Sequence, residues 1–256
     1  MTQYRTMLGK EFMDSKRSGR LLILGIIFLV FGIMNPAIAK LTPKLFEFLS
    51  DEFEAQSFNI TVKDATATDS WLQFLKNYST LLLIFLIVES NRFIKEYRTG
   101  TLTLLLTKGL RRASVVASKA TYIIAAWTVG YGIYFGVTYV YTAYYWDMST
   151  IPDIAKIAFV LWLFGIFMIS VLIFLSCLCR ELVQVLLGTG GVYLALSFFG
   201  FLPKISDFLP TMLSANASKL LAGEPVANLT GCILITAVLS VLLLLASFPV
   251  FRRKTL

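Results

Sequence analysis

Between two long apolar segments lies a 31-residue stretch, Glu89 to Lys119, with the sequence ESNRFIKEYRTGTLTLLLTKGLRRASVVASK. It carries seven basic residues (Arg92, Lys95, Arg98, Lys108, Arg111, Arg112 and Lys119) and two glutamates, Glu89 and Glu96. Inside it runs a short apolar segment, Leu102 to Leu106. A bilayer span needs about 20 apolar residues, so this segment cannot cross one. A helical turn or two of leucines between basic ends suits docking onto a partner protein. The alternative is a basic loop whose leucines lie flat on lipid. Either chemistry is non-covalent, and the rest of the chain offers little else. It contains no histidine, which removes Ser/His pairs and HExxH zinc motifs. Gly188-Thr189-Gly190-Gly191 lacks the following Lys-Ser/Thr of a phosphate cradle. Cys177 and Cys179 are joined by no other ligand cluster, so they read as small apolar residues at a membrane boundary. The carboxylates Asp147, Asp153, Asp207 and Glu224 sit at the ends of apolar segments. Ion-coupled carriers keep an ionisable residue inside the membrane, and none is evident here.

The elements that must position this stretch are membrane helices. The chain has 256 residues, is 57% hydrophobic and has a mean hydropathy of +0.76, whereas soluble domains are about 45–50% apolar even with glycine counted. The fold class is an all-α integral membrane protein. Six spans are expected, at about 21–39, 72–89, 115–145, 153–176, 182–201 and 227–250. The third is longer than a bilayer core of about 30 Å requires, so it must tilt, bend or protrude. Asn35-Pro36 is expected to kink or end the first span. Residues 1–20 are polar and read as an amphipathic interface helix, not a cleavable signal, with Met1, Tyr4, Met7, Leu8 and Phe12 on one face.

Charge sets the orientation. Of 23 Lys/Arg, sixteen fall in the amino-terminal segment, in 89–119, at Arg180 and in the carboxy-terminal tail. Ten of the fifteen acidic residues fall on the other side. The positive-inside rule then places both termini in the cytoplasm. The net charge of +8 is spread over span ends, which argues against nucleic-acid binding. Outside, Lys40 to Trp71 is acidic and carries a helical pattern through Leu45, Phe46, Leu49 and Phe53. Phe201 to Pro225 is apolar, broken by Pro203 and Pro210, and closed by Gly223-Glu224-Pro225. It is expected to form a re-entrant helical hairpin. Phe208, Leu209, Pro210, Met212 and Leu213 would cover an outer mouth as a gate. One domain, 1–256, is the simplest account.

The order Glu96-x-x-x-Gly100-Thr101-Leu102-x-x-Leu105-Leu106-Thr107, then Arg112 and Ser118-Lys119, resembles a signature of the ABC-type-2 transporter permeases. Two positions depart from that pattern: Gly109 stands where the family usually has Pro, and Arg111 where Ser is common. A looser turn is expected there. The resemblance implies a permease paired with a second copy, as a homodimer or related heterodimer, each copy seated on a cytosolic ATPase. Hydrolysis, with its ATP and Mg, would belong to that partner, and this chain would bind no cofactor or metal itself. Glu96 to Thr107 would enter a cleft of the ATPase. Leu102, Leu105 and Leu106 would supply buried contact, Arg98, Lys108, Arg111 and Arg112 would meet acidic rim groups, and Glu96, Gly100 and Thr101 belong to the same coupling set. The resemblance further implies a bacterial cytoplasmic membrane, contact with membrane lipids and a peptide or hydrophobic substrate. It is similar in flavour to exporters of the phenol-soluble-modulin type. The competing classes are an ion-coupled secondary transporter and a non-transporting membrane scaffold.

Overall fold

The computed structural model describes residues 2–53, 64–202, 208–226 and 228–254. Part of the outer segment after Lys40, and Pro203 with the four residues after it, lie outside them. The elements are α1 (Thr2–Arg17), α2 (Arg20–Phe53), α3 (Ala67–Arg98), α4 (Thr101–Thr107), α5 (Arg112–Tyr145), α6 (Ile154–Leu178), α7 (Leu182–Phe199), α8 (Thr211–Ala215), α9 (Ala217–Leu221) and α10 (Leu229–Arg253). A 3-10 turn at Met148–Thr150 joins α5 to α6. Six of these helices (α2, α3, α5, α6, α7 and α10) are long and apolar enough to cross a membrane. The protein is an all-α, multi-pass membrane protein.

Two sequence expectations change. Of the two outcomes expected at Asn35-Pro36, a kink or an end, the helix does not end there: α2 runs on to Phe53 with Pro36 and Pro43 inside it. Pro36 has no N–H, so the carbonyl of Gly32 loses its helical donor. The Thr138 hydroxyl on α5 donates to that carbonyl at 3.1 Å. Asn35 Nδ2 donates to Thr138 Oγ1 at 3.0 Å, and Asn77 Nδ2 on α3 donates to Asn35 Oδ1 at 2.8 Å. A polar chain across three spans thus re-satisfies the backbone that proline would otherwise break. Close approach makes it possible, since a Cβ on Gly32 would lie 3.0 Å from Val137 Cβ.

The second change is at α3, which starts earlier than hydropathy indicates and continues past Glu89 to Arg98. At its start the Thr66 N–H and hydroxyl both donate to the Asp69 carboxylate at 2.8 Å, a reciprocal cap of the T-x-x-D kind. At its far end, charges that read as loop are arranged on a continuing helix.

The core lies around α6. This helix is apolar all round, and 72% of its central window is buried, against 11% for α7. Trp127 of α5 fits onto α6 at Gly165, where an added Cβ would stand 2.3 Å from the indole. The indole donates to Trp162 O at 3.3 Å. Gly165→Ala must displace this ring and is expected to cost about 1–3 kcal/mol as overpacking. The measurement is thermal unfolding of the purified protein in detergent, and an unchanged midpoint would contradict this packing.

One end of the bundle gathers α1, the end of α3, α4, the start of α5, and the ends of α6 and α10. The opposite end carries α8 and α9. These two short helices meet at Asn216, and Gly223 (φ +74°) turns the chain after them. They rest on α3, α6 and α10, with Leu213, Ala217, Leu220 and Leu221 buried.

Candidate functional site

The basic end is organised around α4, a helix of seven residues. Gly100 opens it in the left-handed region (φ +65°), and Gly109 leaves it at φ +88°. Both positions favour glycine, because a Cβ is strained there. Leu102 is 2% exposed and packs into the core of its own chain. In this chain Leu102 is thus covered by its own core, whereas the resemblance implied contact with a partner. Leu105 is half-buried, and Leu106 packs at the edge of the same core. Leu104, absent from the expected contact set, is 57% exposed. Arg98, Thr101 and Lys108 are exposed.

α1 holds the chain on either side of α4, at the end of α3 and at the turn after α4. On the approach, Lys10 of α1 pairs with Glu96. On the exit, the Gln3 side-chain amide donates to Gly109 O at 3.1 Å, and its Oε1 accepts from the Arg111 N–H at 3.3 Å. The turn with Gly109 in place of proline is therefore closed by a residue remote in sequence.

Behind α4 lies a buried ionic cluster that sequence reading did not assemble. Glu11 of α1 is 2% exposed; its Oε1 accepts from Lys119 Nζ at 2.9 Å and its Oε2 from Arg92 at 3.0 Å. Arg92 also pairs with Glu89 at 2.6 Å and lies 3.9 Å from the Tyr122 ring centre. Lys119 Nζ is 3.1 Å from Glu96 Oε2 and donates to Arg92 O at 3.2 Å. The Tyr122 hydroxyl donates to Ser15 Oγ at 2.6 Å. Three acids and three bases balance: Glu11, Glu89 and Glu96 against Lys10, Arg92 and Lys119. Burial alone would raise the Glu11 pKa, but Lys119 and then Arg92 outweigh it and hold the carboxyl below its ordinary range. Burial likewise opposes the Lys10 charge, yet Glu96 beside it raises the Lys10 pKa.

The signal was available in the spacing. Met7, Glu11 and Ser15 stand at i, i+4 and i+8 and form the buried face of α1, while Phe12 and Met13 are exposed. Glu89, Arg92 and Glu96 follow the same periodicity on α3. Apolar residues alone could not reveal it.

Arg112 does not join the α4 surface. Its Nη1 donates to Phe251 O, Arg252 O and Lys254 O at 3.3, 2.9 and 2.7 Å, capping the last carbonyls of α10. Lys254 in turn caps α6 through Cys179 O and Ser176 O, over the Tyr97 ring. Burial lowers the Lys254 pKa to about 8. At the opposite end, Pro210 and Leu213 are buried, Leu209 and Met212 half-buried, and Phe208 is 45% exposed. Leu209 O accepts from the Cys232 thiol at 3.1 Å, which ties this segment to α10. These five residues are grouped together, and none touches the α4 region.

Comparison with known proteins agrees with this layout. No curated protein matches the chain. A family model described as ABC-2 family transporter protein matches residues 5–255, from α1 through the end of α10. The chain therefore belongs to the ABC-2 family transporter proteins and is a transmembrane subunit of an ABC transporter, a kind of subunit that normally works with an ABC ATPase partner.

Proposed function

We propose that this chain is the membrane subunit of an ATP-driven exporter of amphipathic or hydrophobic peptides, of the toxin, antimicrobial or immunity-related kind. It works in a bacterial cytoplasmic membrane with both termini in the cytoplasm. Two copies, or this chain and a relative, sit on ATPases that bind ATP and Mg. The observation that carries the reading is α4: a short helix whose flanking chain is held on either side by α1, with Leu104 turned outward. A rigid mount of this kind passes a push on α4 into α1, α3 and α5 together, because the ionic cluster joins all three. The outer residues 208–213 close the path at the other end.

The test is whether a P-loop ATPase co-purifies with this chain from its own cells, followed by reconstitution of the two into vesicles. A labelled amphipathic peptide should move only when ATP and that ATPase are on the α4 side. Phe208→Ser should alter release without loss of ATPase binding, since Phe208 is partly exposed. Movement driven by an ion gradient alone would favour the secondary-transporter reading. ATPase binding with no movement of any peptide would remove the substrate class.

A further inference from the structure

A second basic feature lies at the same end and shares Arg111 and Arg112 with the residues expected around α4. A groove of about 830 Å³ lies between the start of α5 and the end of α10, lined by Arg111, Arg112, Ala113, Phe248, Pro249 and Arg252. Its rim is three guanidinium groups and its floor is apolar. Among the described residues no carboxylate lies within ion-pair distance of Arg111, Arg112 or Arg252. The α1 cluster is the opposite case, with every cation matched by an acid. Arg112 is immobilised by the α10 carbonyls. Arg111 and Arg252 are exposed.

We propose that this groove holds the phosphate of an anionic phospholipid from the membrane leaflet at the basic end. Position supports it: Arg112 is the first residue of one apolar helix and Arg252 the next-to-last of another, and basic residues at span ends favour the headgroup region. Chemistry supports it too, because guanidinium groups suit phosphate oxygens, and basic pockets between membrane helices take anionic headgroups. The apolar floor separates a lipid from a free phosphate. Phe248 and Pro249 face where glycerol and the first acyl carbons would lie, and an inorganic ion gains nothing from them. An acidic protein rim would favour an open basic surface over a groove floored by Phe248 and Pro249.

The experiment uses the full chain in nanodiscs containing phosphatidylglycerol and phosphatidylcholine, and reads lipid retained after transfer to detergent by native mass spectrometry. The wild-type chain should retain phosphatidylglycerol selectively. Arg111→Gln with Arg252→Gln should weaken that retention about twenty-fivefold, at about a factor of five for each basic side chain near an anionic surface. Among the described residues neither guanidinium has an ion-pair or hydrogen-bond partner, so folding should persist, checked by a single symmetric peak on size exclusion. Arg5→Gln with Lys16→Gln removes the same charge from exposed positions on α1 and should leave retention near wild type. Equal loss in both double variants would overturn the proposal, leaving only a general charge effect. Displacement of the lipid by inorganic phosphate would also overturn it. Unchanged retention, with or without weakened ATPase capture, would assign the groove to something other than lipid.

Discussion

Lys119→Met is expected to destabilise the protein by about 3–5 kcal/mol, the cost of breaking a buried ion pair from one side. The side chain is 1% exposed, and its ammonium touches Glu11 and Glu96 together. Its removal leaves three buried or nearly buried acids facing two bases. The effect should appear first at α1, which is tied to α3 and α5 through this cluster. Protease cleavage or amide exchange within Thr2–Arg17 should rise well before the spans unfold. Glu11→Leu combined with Lys119→Met restores the charge balance and should cost less than the sum of the single changes. The difference is the coupling energy. A single variant within about 1 kcal/mol of wild type would mean that hydrogen bonds and packing alone hold α1.

The same cluster has a pH dependence whose direction can be stated. The Glu11 pKa is lowered in the folded state from an ordinary 4.5. The stability it contributes is therefore present above that value and is lost as pH falls from 4.5 through the lower folded value. The Lys10 pKa is raised from 10.5, so its contribution holds at neutral pH and is lost only as pH rises beyond 10.5 through the folded value. Attachment of α1 should thus be flat across neutral pH and loosen in acid.

What could be read from the sequence was whatever depends on hydropathy. The six spans, the amino-terminal helix and the two short helices after Pro210 follow from apolar runs and breakers, which act locally. What could not be read depended on pairing between distant positions. Asn35-Pro36 carries a local stop signal, and only Thr138 and Asn77 from other spans remove it. Lys119 reads as a basic residue at the start of the third helix, and its partners could not be read because they lie on α1 and α3. Arg112 looked like a docking residue because the carbonyls it caps are at the other end of the chain. In each case the partners of a polar group near a span end lie far away in sequence, and tertiary contact matches it. The leucines of α4 failed differently. A helix this short has too few residues for periodicity to say which faces inward, and packing decides it for Leu102.

That difference between Leu102 and Leu104 leads to the second large effect. Leu104→Asp should leave the permease folded, since surface changes away from special features stay within about 0.5 kcal/mol. Yet it should weaken capture of the ATPase by about thirtyfold, the loss of an interface anchor worth about 2 kcal/mol. Leu102→Asp should do the reverse in order of cause. A carboxylate at a site 2% exposed has no partner there, and burying it unpaired costs several kcal/mol, at least about 2–3. The α4 turn should come away from α3, with raised amide exchange in Thr101–Thr107, and ATPase binding would fail only as a consequence. Leu102→Met, which keeps the volume, should restore both. Thermal unfolding and ATPase capture measured on the three variants separate an anchor from a docking contact. If Leu104→Asp captures the ATPase as well as the parent chain does, the outward face of α4 is not where the partner sits. The coupling surface would then have to be sought on Arg98, Lys108 and the exposed side of α1.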